Sequence, residues 1–228
     1  MALSERLQDI RLVAFDLDGT LVTDTVFVWT TLHEHFGCDP LRRKQAHDDF
    51  FAGRITYARW FETDLALLRE RQATRAGFLE ALAKLRETPG ATEALLLLRQ
   101  RGYKLAVISG SIDLVIESFF GHIPFDHVLI NQVHFDPLGH PVSGIPTEYD
   151  LEGKALGLGE VARREGLLVS QCAFVGDNTN DLAVMRQAGV SFGFNIKSPE
   201  VEKAVDVVIA KPDLREILPF FPGIAPKI

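Results

Sequence analysis

The sequence predicts an α/β fold: a doubly wound, mostly parallel sheet with a small helical cap inserted after the first strand and a small β-hairpin. Three observations carry this. Short, nearly continuous apolar runs recur along the 228-residue chain, the pattern of parallel strands covered on both faces. Helical stretches closed by glycine separate most of them. The segment 24–86 breaks the alternation without offering a convincing strand, and it is far longer than a plain connection.

Taken in chain order, strands are expected at Leu12–Asp18, Lys104–Ser109, Val128–Ile130, Gln171–Asp177, Val190–Asn195 and Val207–Ile209. The helix Ala91–Arg101 carries Leu95 to Leu98 and stops at Gly102; Ser111–Phe120 lies between Gly110 and Gly121; Lys154–Glu165 ends at Gly166 and Asp181–Ala188 at Gly189. Ser198-Pro199 reads as an N-cap followed by proline at the first helical position. Strand and helix alternate, which argues for a doubly wound core. Gly37-Cys38-Asp39-Pro40 and Ala52-Gly53 divide the insert into several helices. The division is therefore a core of residues 1–23 and 87–228 with a helical lid at 24–86. Asp136-Pro137-Leu138-Gly139 marks the turn of a hairpin within 128–145. The proline-bearing tail after Pro219 is expected to be irregular.

Composition bounds the function. Apolar residues make up 46% and charged residues 24%, ordinary for a globular protein. A formal charge of −7 gives no support for a nucleic-acid or anionic-membrane partner, so any anion site must be local. No apolar stretch approaches the ~20 residues of a membrane span, and the first residues lack the apolar core of a signal peptide. Cys38 and Cys172 are the two cysteines and have no metal-ligand spacing, so a reduced, cytoplasmic setting is expected.

The chemistry gathers at strand ends. Val13-Ala14-Phe15 runs into Asp16-Leu17-Asp18-Gly19. On a regular strand the two aspartates share a face; unpaired there, they are costly to desolvate, and a hard divalent cation offsets that cost. Ala173-Phe174-Val175 likewise delivers Gly176-Asp177-Asn178-Thr179-Asn180-Asp181. Ala106-Val107-Ile108 leads to Ser109-Gly110-Ser111, a hydroxyl and flexible backbone at an expected helix start, where N–H groups favour anions. Open α/β sheets bind ligands beyond the carboxyl ends of their strands. One place therefore holds a metal site of Asp16 and Asp177 beside an anion cradle of Ser109 and Gly110.

These stretches, with Lys154 between the second and last of them, resemble the four motifs of the haloacid dehalogenase superfamily on its phosphoserine-phosphatase-like branch. Pro89-Gly90, Gly102-Tyr103-Lys104, Gly189, Phe194-Asn195 and Asp206 match that branch as well. The resemblance implies a Rossmann-like core and a Mg2+-dependent phosphomonoester hydrolase acting on a small phosphorylated metabolite. Asp16 is then the nucleophile that forms an aspartyl-phosphate, and Asp18 the general acid and base. Mg2+ is bound by Asp16, the Asp18 carbonyl and Asp177, with Asp181 in the outer shell. Ser109, Gly110, Lys154 and Asn180 hold the phosphate. Phosphoserine phosphatase itself, or a phosphotransferase or phosphomutase on the same fold, is the alternative; dehalogenation has no use for the acid Asp18. A monomer or homodimer is expected.

The lid departs from the family's pattern. The position of the lid glutamate that receives a substrate ammonium falls on Thr25, beside Asp24. The lid arginine for a substrate carboxylate falls on Asp64, which reverses the charge. Phosphoserine is therefore expected not to be the main substrate. Arg59 is a candidate replacement, and Asp64 with aromatic neighbours such as Trp60 suits a cationic or hydroxyl-rich head group. Phe27, Trp29, Trp60 and Phe61 are otherwise expected to pack the core of the helical lobe. His33 and His35, two apart, diverge on a helix and are expected at its surface.

Overall fold

The computed structural model describes residues 2–224. Its main sheet has seven strands. In chain order the strands of the molecule are β1 (Leu12–Phe15), β2 (Val22–Thr23), β3 (Arg86–Glu87), β4 (Lys104–Ile112), β5 (His127–Phe135), β6 (Pro141–Ile145), β7 (Cys172–Gly176), β8 (Val190–Phe194) and β9 (Val207–Ile209). The sheet order is β6-β5-β4-β1-β7-β8-β9. All its pairings are parallel except β5 with β6. Around it lie α1 (Leu3–Asp9), α2 (Val28–His35), α3 (Pro40–Phe51), α4 (Tyr57–Glu70), α5 (Arg75–Leu82), α6 (Ala91–Gln100), α7 (Asp113–Val115), α8 (Gly153–Arg164), α9 (Leu182–Gln187) and α10 (Pro199–Ala204).

The central strands are buried on both faces because neighbouring residues feed different cores. Val13, Phe15, Leu105, Val107, Ala173 and Val175 pack with α6 and with the helices that follow β2. Leu12, Ala14, Ala106, Ile108, Cys172 and Phe174 pack with α8, α9 and α10. This two-sided packing makes the apolar runs continuous rather than alternating. Phe174 is fully buried, so Phe174→Ala is expected to cost about 3–5 kcal/mol. The loss should appear as a lower denaturant midpoint at unchanged m.

Helices α2 to α5 lie between β2 and β3, which pair antiparallel as a short ribbon where the chain leaves and rejoins the sheet region. Local signals set their limits. Asp39 caps α3 by accepting from the N–H groups of Leu41 and Arg42, with Pro40 opening the helix. Thr56 caps α4 and Thr74 caps α5.

Several boundaries differ from expectation. β1 stops at Phe15, so Asp16 and Asp18 leave the sheet in a turn closed by Leu21 and Val22 N–H donating to the Leu17 carbonyl. β4 does not end at Ser109. It continues through Gly110 and Ser111 to Ile112, which pairs with Asn131 across an irregularity in register; the helix starts only at Asp113 and widens into a π turn at Ile116–Phe120. Gly110 is thus a strand residue, and the helix-start reading of the Ser109-Gly110 cradle gives way to a bulged strand end. The hairpin is not an appendage: β5 belongs to the main sheet and β6 forms its antiparallel edge. In the tail, Leu214–Phe220 forms a 3-10 helix and Phe221 is buried against Tyr103. Residues 225–228 of the expected irregular tail lie outside the described residues. Among the described residues no helix is long and apolar enough to cross a membrane.

Candidate active site

Adjacent strands β4, β1 and β7 bring Ser109, Asp16 and Asp177 to one edge of the sheet. Lys154, in the first turn of α8, reaches the same place. It is fully buried, with Nζ 2.8 Å from Asp16 Oδ1 and 2.6 Å from Asp181 Oδ1. Burial alone would strip its proton; Asp16 and Asp181 outweigh that and lift its pKa above the ordinary lysine value.

The carboxylates are held by backbone. Asp181 Oδ2 accepts from the N–H groups of Asp177 (3.0 Å) and Asn178 (3.3 Å). This closeness requires glycine at 176, where a Cβ would overlap the Asp181 carboxylate. Gly19 has φ of +81° and a Cβ there would strike the Asp177 carboxylate, so the position needs glycine on both counts. Asn195 Nδ2 donates to the Gly19 carbonyl at 2.9 Å and fixes the turn.

Asp16, Asp177 and Asp181 each offer an oxygen, all within 4.8 Å of one another. Asp177 Oδ2 is buried without a hydrogen-bond partner among the described residues. Burial, and next the Asp16 charge, raise the Asp177 pKa well above the usual carboxylate range. Two of these three buried carboxylates, Asp16 and Asp181, share one ammonium, and the Asp177 oxygen is left orphaned; this donor set fits a hard divalent cation such as Mg2+.

Asp18 is tied to the insert. Its Oδ2 accepts the N–H of Val28 at 2.7 Å, at the start of α2. Its Oδ1 has no partner among the described residues. Burial, with the Asp16 charge adding to it, pushes its pKa up to about 7, so it can hold and release a proton near neutrality.

These groups open on a cavity of about 140 Å3. On the core side it is lined by Asp16, Asp18, Ser109, Gly110 and Asn180, whose Oδ1 is buried and unpartnered among the described residues. The Gly110 carbonyl accepts from Trp29 Nε1 (3.0 Å) and Asn131 Nδ2 (2.6 Å). Gly110 must be glycine because the Asp150 carboxylate occupies the space of a Cβ.

The structure brings only some of the lid candidates here. Asp64 and Trp60 line the cavity. Asp24 and Thr25 do not; they border a separate depression with Thr23 and Lys197. Asp24 has φ of +65° and faces Arg86 at 3.5 Å, while Thr25 Oγ1 lies 3.0 Å from Thr31 Oγ1. Arg59 is exposed; the guanidinium on the wall is Arg43 of α3. Phe27, Trp29, Trp60 and Phe61 all line the cavity rather than serving packing alone. His33 is 4% exposed, not a surface residue, and its Nε2 sits 3.1 Å from Asp64 Oδ1. Sequence reading also passed over Tyr57, which lines the cavity and whose hydroxyl donates to Asp150 Oδ2 at 3.0 Å.

A strand-end nucleophile candidate, a caged lysine and an acid cluster fit for a cation define a hydrolase site at the edge of a doubly wound sheet. A model of the haloacid dehalogenase-like hydrolase family matches residues 10–189, and the chain belongs to that family. It is a phosphatase, on the phosphoserine-phosphatase-like branch. The chain is 26% identical to a phosphoserine phosphatase of Methanocaldococcus jannaschii, over 92% of this chain and 97% of that one. It is 27% identical to one of Lactococcus lactis, over 95% and 97%. A solved phospho-aspartyl intermediate analogue of phosphoserine phosphatase superposes with TM-score 0.71 at 24% identity, over 93% of this chain and 99% of that one.

Proposed function

We propose that the protein is a Mg2+-dependent phosphomonoester hydrolase that works through an aspartyl-phosphate on Asp16, with residues 24–86 as a cap over a core of 1–23 and 87–228, and with a small substrate other than phosphoserine. The observation that carries the chemistry is Lys154, buried between Asp16 and Asp181 at 2.8 and 2.6 Å. A buried ammonium locked to a carboxylate beside an open cavity has a use when that carboxylate must meet an anionic ester.

Asp16 attacks phosphorus, the ester P–O bond breaks, and Asp18 gives its proton to the leaving oxygen. A water then attacks the phosphoryl group, Asp18 takes the water's proton, and inorganic phosphate leaves with Asp16 restored. Ser109 Oγ, the Gly110 N–H and Asn180 hold phosphoryl oxygens, and Lys154 neutralises charge on them and on Asp16. Asp16, Asp177 and the Asp18 carbonyl would hold Mg2+, which would supply Lewis-acid neutralisation of the phosphoryl group when bound. Asp181, its oxygens already engaged by Lys154 and two N–H groups, acts from outside that shell. The cap excludes water from the reaction and opens for release.

The relatives' substrate is a second reading with an observation of its own: Arg43 and Asp64 present opposite charges on one wall. Turnover of a phosphate-ester panel decides between the two, with phosphoserine the best ester only under the second reading.

Chelation tests the metal in two ways. Turnover should vanish with EDTA and return with Mg2+. In the metal-free protein, Asp18 (about 7) and Asp181 (about 6) have pKa values raised above the ordinary 3.8. Groups raised in the folded state contribute stability that is full below the unfolded pKa and is lost as pH rises through the folded one. Metal-free Tm should therefore fall between about pH 4 and pH 7 through these groups, and Mg2+ should flatten that fall. A Tm indifferent to Mg2+ at pH 8 speaks against a cation at this cluster.

A further inference from the structure

The cap wall of the catalytic cavity holds polar atoms that the fold leaves unmatched. Asp64 and His33 are each 4% exposed. Asp64 Oδ1 lies 3.1 Å from His33 Nε2 and 3.8 Å from Arg43 Nε. Yet these three atoms, and Trp60 Nε1, make no aligned hydrogen bond among the described residues; Arg43, Trp60 and Asp64 line the catalytic cavity, while His33 lines a neighbouring depression. Buried polar groups are nearly always satisfied, and a concentration of exceptions on a cavity wall calls for a ligand.

The kinds of atom narrow that ligand. Arg43 and Trp60 only donate, and the Asp64 carboxylate accepts. The formal charges of Arg43 and Asp64 cancel. A lone ammonium would meet Arg43, and a lone carboxylate would meet Asp64, each a poor exchange in a wall shielded from water. A zwitterion would have to enter between Arg43 and Asp64, parting the buried Asp64 carboxylate from the half-buried guanidinium, and would leave Trp60 Nε1 unmatched. Hydroxyl groups differ, because each both donates and accepts. Two neighbouring hydroxyls can accept from Trp60 and Arg43 while donating to Asp64, with the charges still in contact. Aromatic rings make up much of the remaining wall: Phe27, Trp29, Phe51 and Phe61 line it, with His47 and Tyr57 among them. Trp29 and Phe61 meet edge to face at 5.5 Å, and Trp60 is backed by Phe50 at 4.9 Å. Such flat apolar faces take the C–H surface of a polyol while its hydroxyls reach the polar atoms.

We propose that the preferred substrates are phosphate monoesters of small, uncharged, polyhydroxylated alcohols, selected by Arg43, Trp60 and Asp64. This rests on the phosphatase reading above and adds the class of its leaving group. The test measures kcat/KM with Mg2+ for glycerol 1-phosphate, erythritol 4-phosphate, phosphoserine, phosphocholine and acetyl phosphate, whose leaving group carries no hydroxyl. The wild type should prefer the two polyol phosphates over phosphoserine and phosphocholine by about tenfold or more, because a site built for hydroxyls leaves its polar atoms unpaired with other heads. In Trp60→Phe, which keeps an aromatic ring and removes one donor, the ratio of polyol phosphate to acetyl phosphate turnover should fall about tenfold, the worth of one hydrogen bond. Asp64→Asn should lower the same ratio. A preference for phosphoserine or phosphocholine, or ratios unmoved in both variants, overturns the head-group assignment and leaves the phosphatase reading standing. Failure of the wild type on acetyl phosphate and on every ester overturns both.

Discussion

Asp16→Asn should lower kcat by roughly 10^4-fold or more on every phosphate ester, the scale of loss when a covalent nucleophile is removed. The substitution changes little volume and keeps an oxygen that can accept from Lys154, so its effect on folding should be small. What it removes is the anionic oxygen that attacks phosphorus. Asp16 is 3% exposed and sits 2.8 Å from Lys154 Nζ, so no bulk water is positioned to take over its role. A purely electrostatic part for Asp16, with water attacking directly, would cost far less, because Lys154, Ser109 and Asp18 all remain. Single-turnover measurement with a labelled phosphate separates the two: the wild type should transfer label to protein within the first turnover and Asp16→Asn should not. Rates within tenfold of wild type would remove Asp16 from the nucleophile's place.

The sheet and the acid cluster were legible in the sequence for one physical reason. A strand buried on both faces must be apolar along its length, so Asp16 and Asp177, standing at the ends of such runs, announce sites where a charge is tolerated because something binds it. The cap was legible as helices and illegible as a wall. Arg43 sits in Arg42-Arg43-Lys44, which no local pattern marks as part of a site, and His33 reads as a surface residue. Whether a polar helical residue faces water or a cavity depends on how α2, α3 and α4 pack on one another, which no local pattern encodes. Asp24 and Thr25 fell where an ungapped count put them, but a left-handed turn at Asp24 swings that segment toward another depression. Gly110 shows the same limit. It reads as flexible backbone at a helix start, yet its smallness answers to the Asp150 carboxylate, a contact made only when the loop before α8 folds over β4.

Lys154→Met tests whether the cluster is held together by its one buried ammonium. Methionine fills similar space without charge or donors. Asp16 and Asp181, at 3% and 0% exposure, then lose the cation that touches both, and breaking a buried pair by removing one partner costs about 3–5 kcal/mol. The pH dependence distinguishes this from a packing defect. Burial already raises the Asp181 pKa to about 6 against the opposing pull of Lys154; without the lysine it rises further. A carboxyl raised in the folded state is tolerated best when protonated, so the variant's deficit should be small below about pH 4 and grow as pH rises through 6. A packing defect would cost the same at every pH. Activity should fall roughly 10^2- to 10^3-fold even where the variant is folded, since the charge that steadies the phosphoryl oxygens is gone. Saturating Mg2+ should recover part of the stability by neutralising Asp16, and little of the rate, because the charge and donors of Nζ stay absent. A variant as stable as wild type at pH 8 without metal would mean that Lys154 is not what holds these carboxylates together.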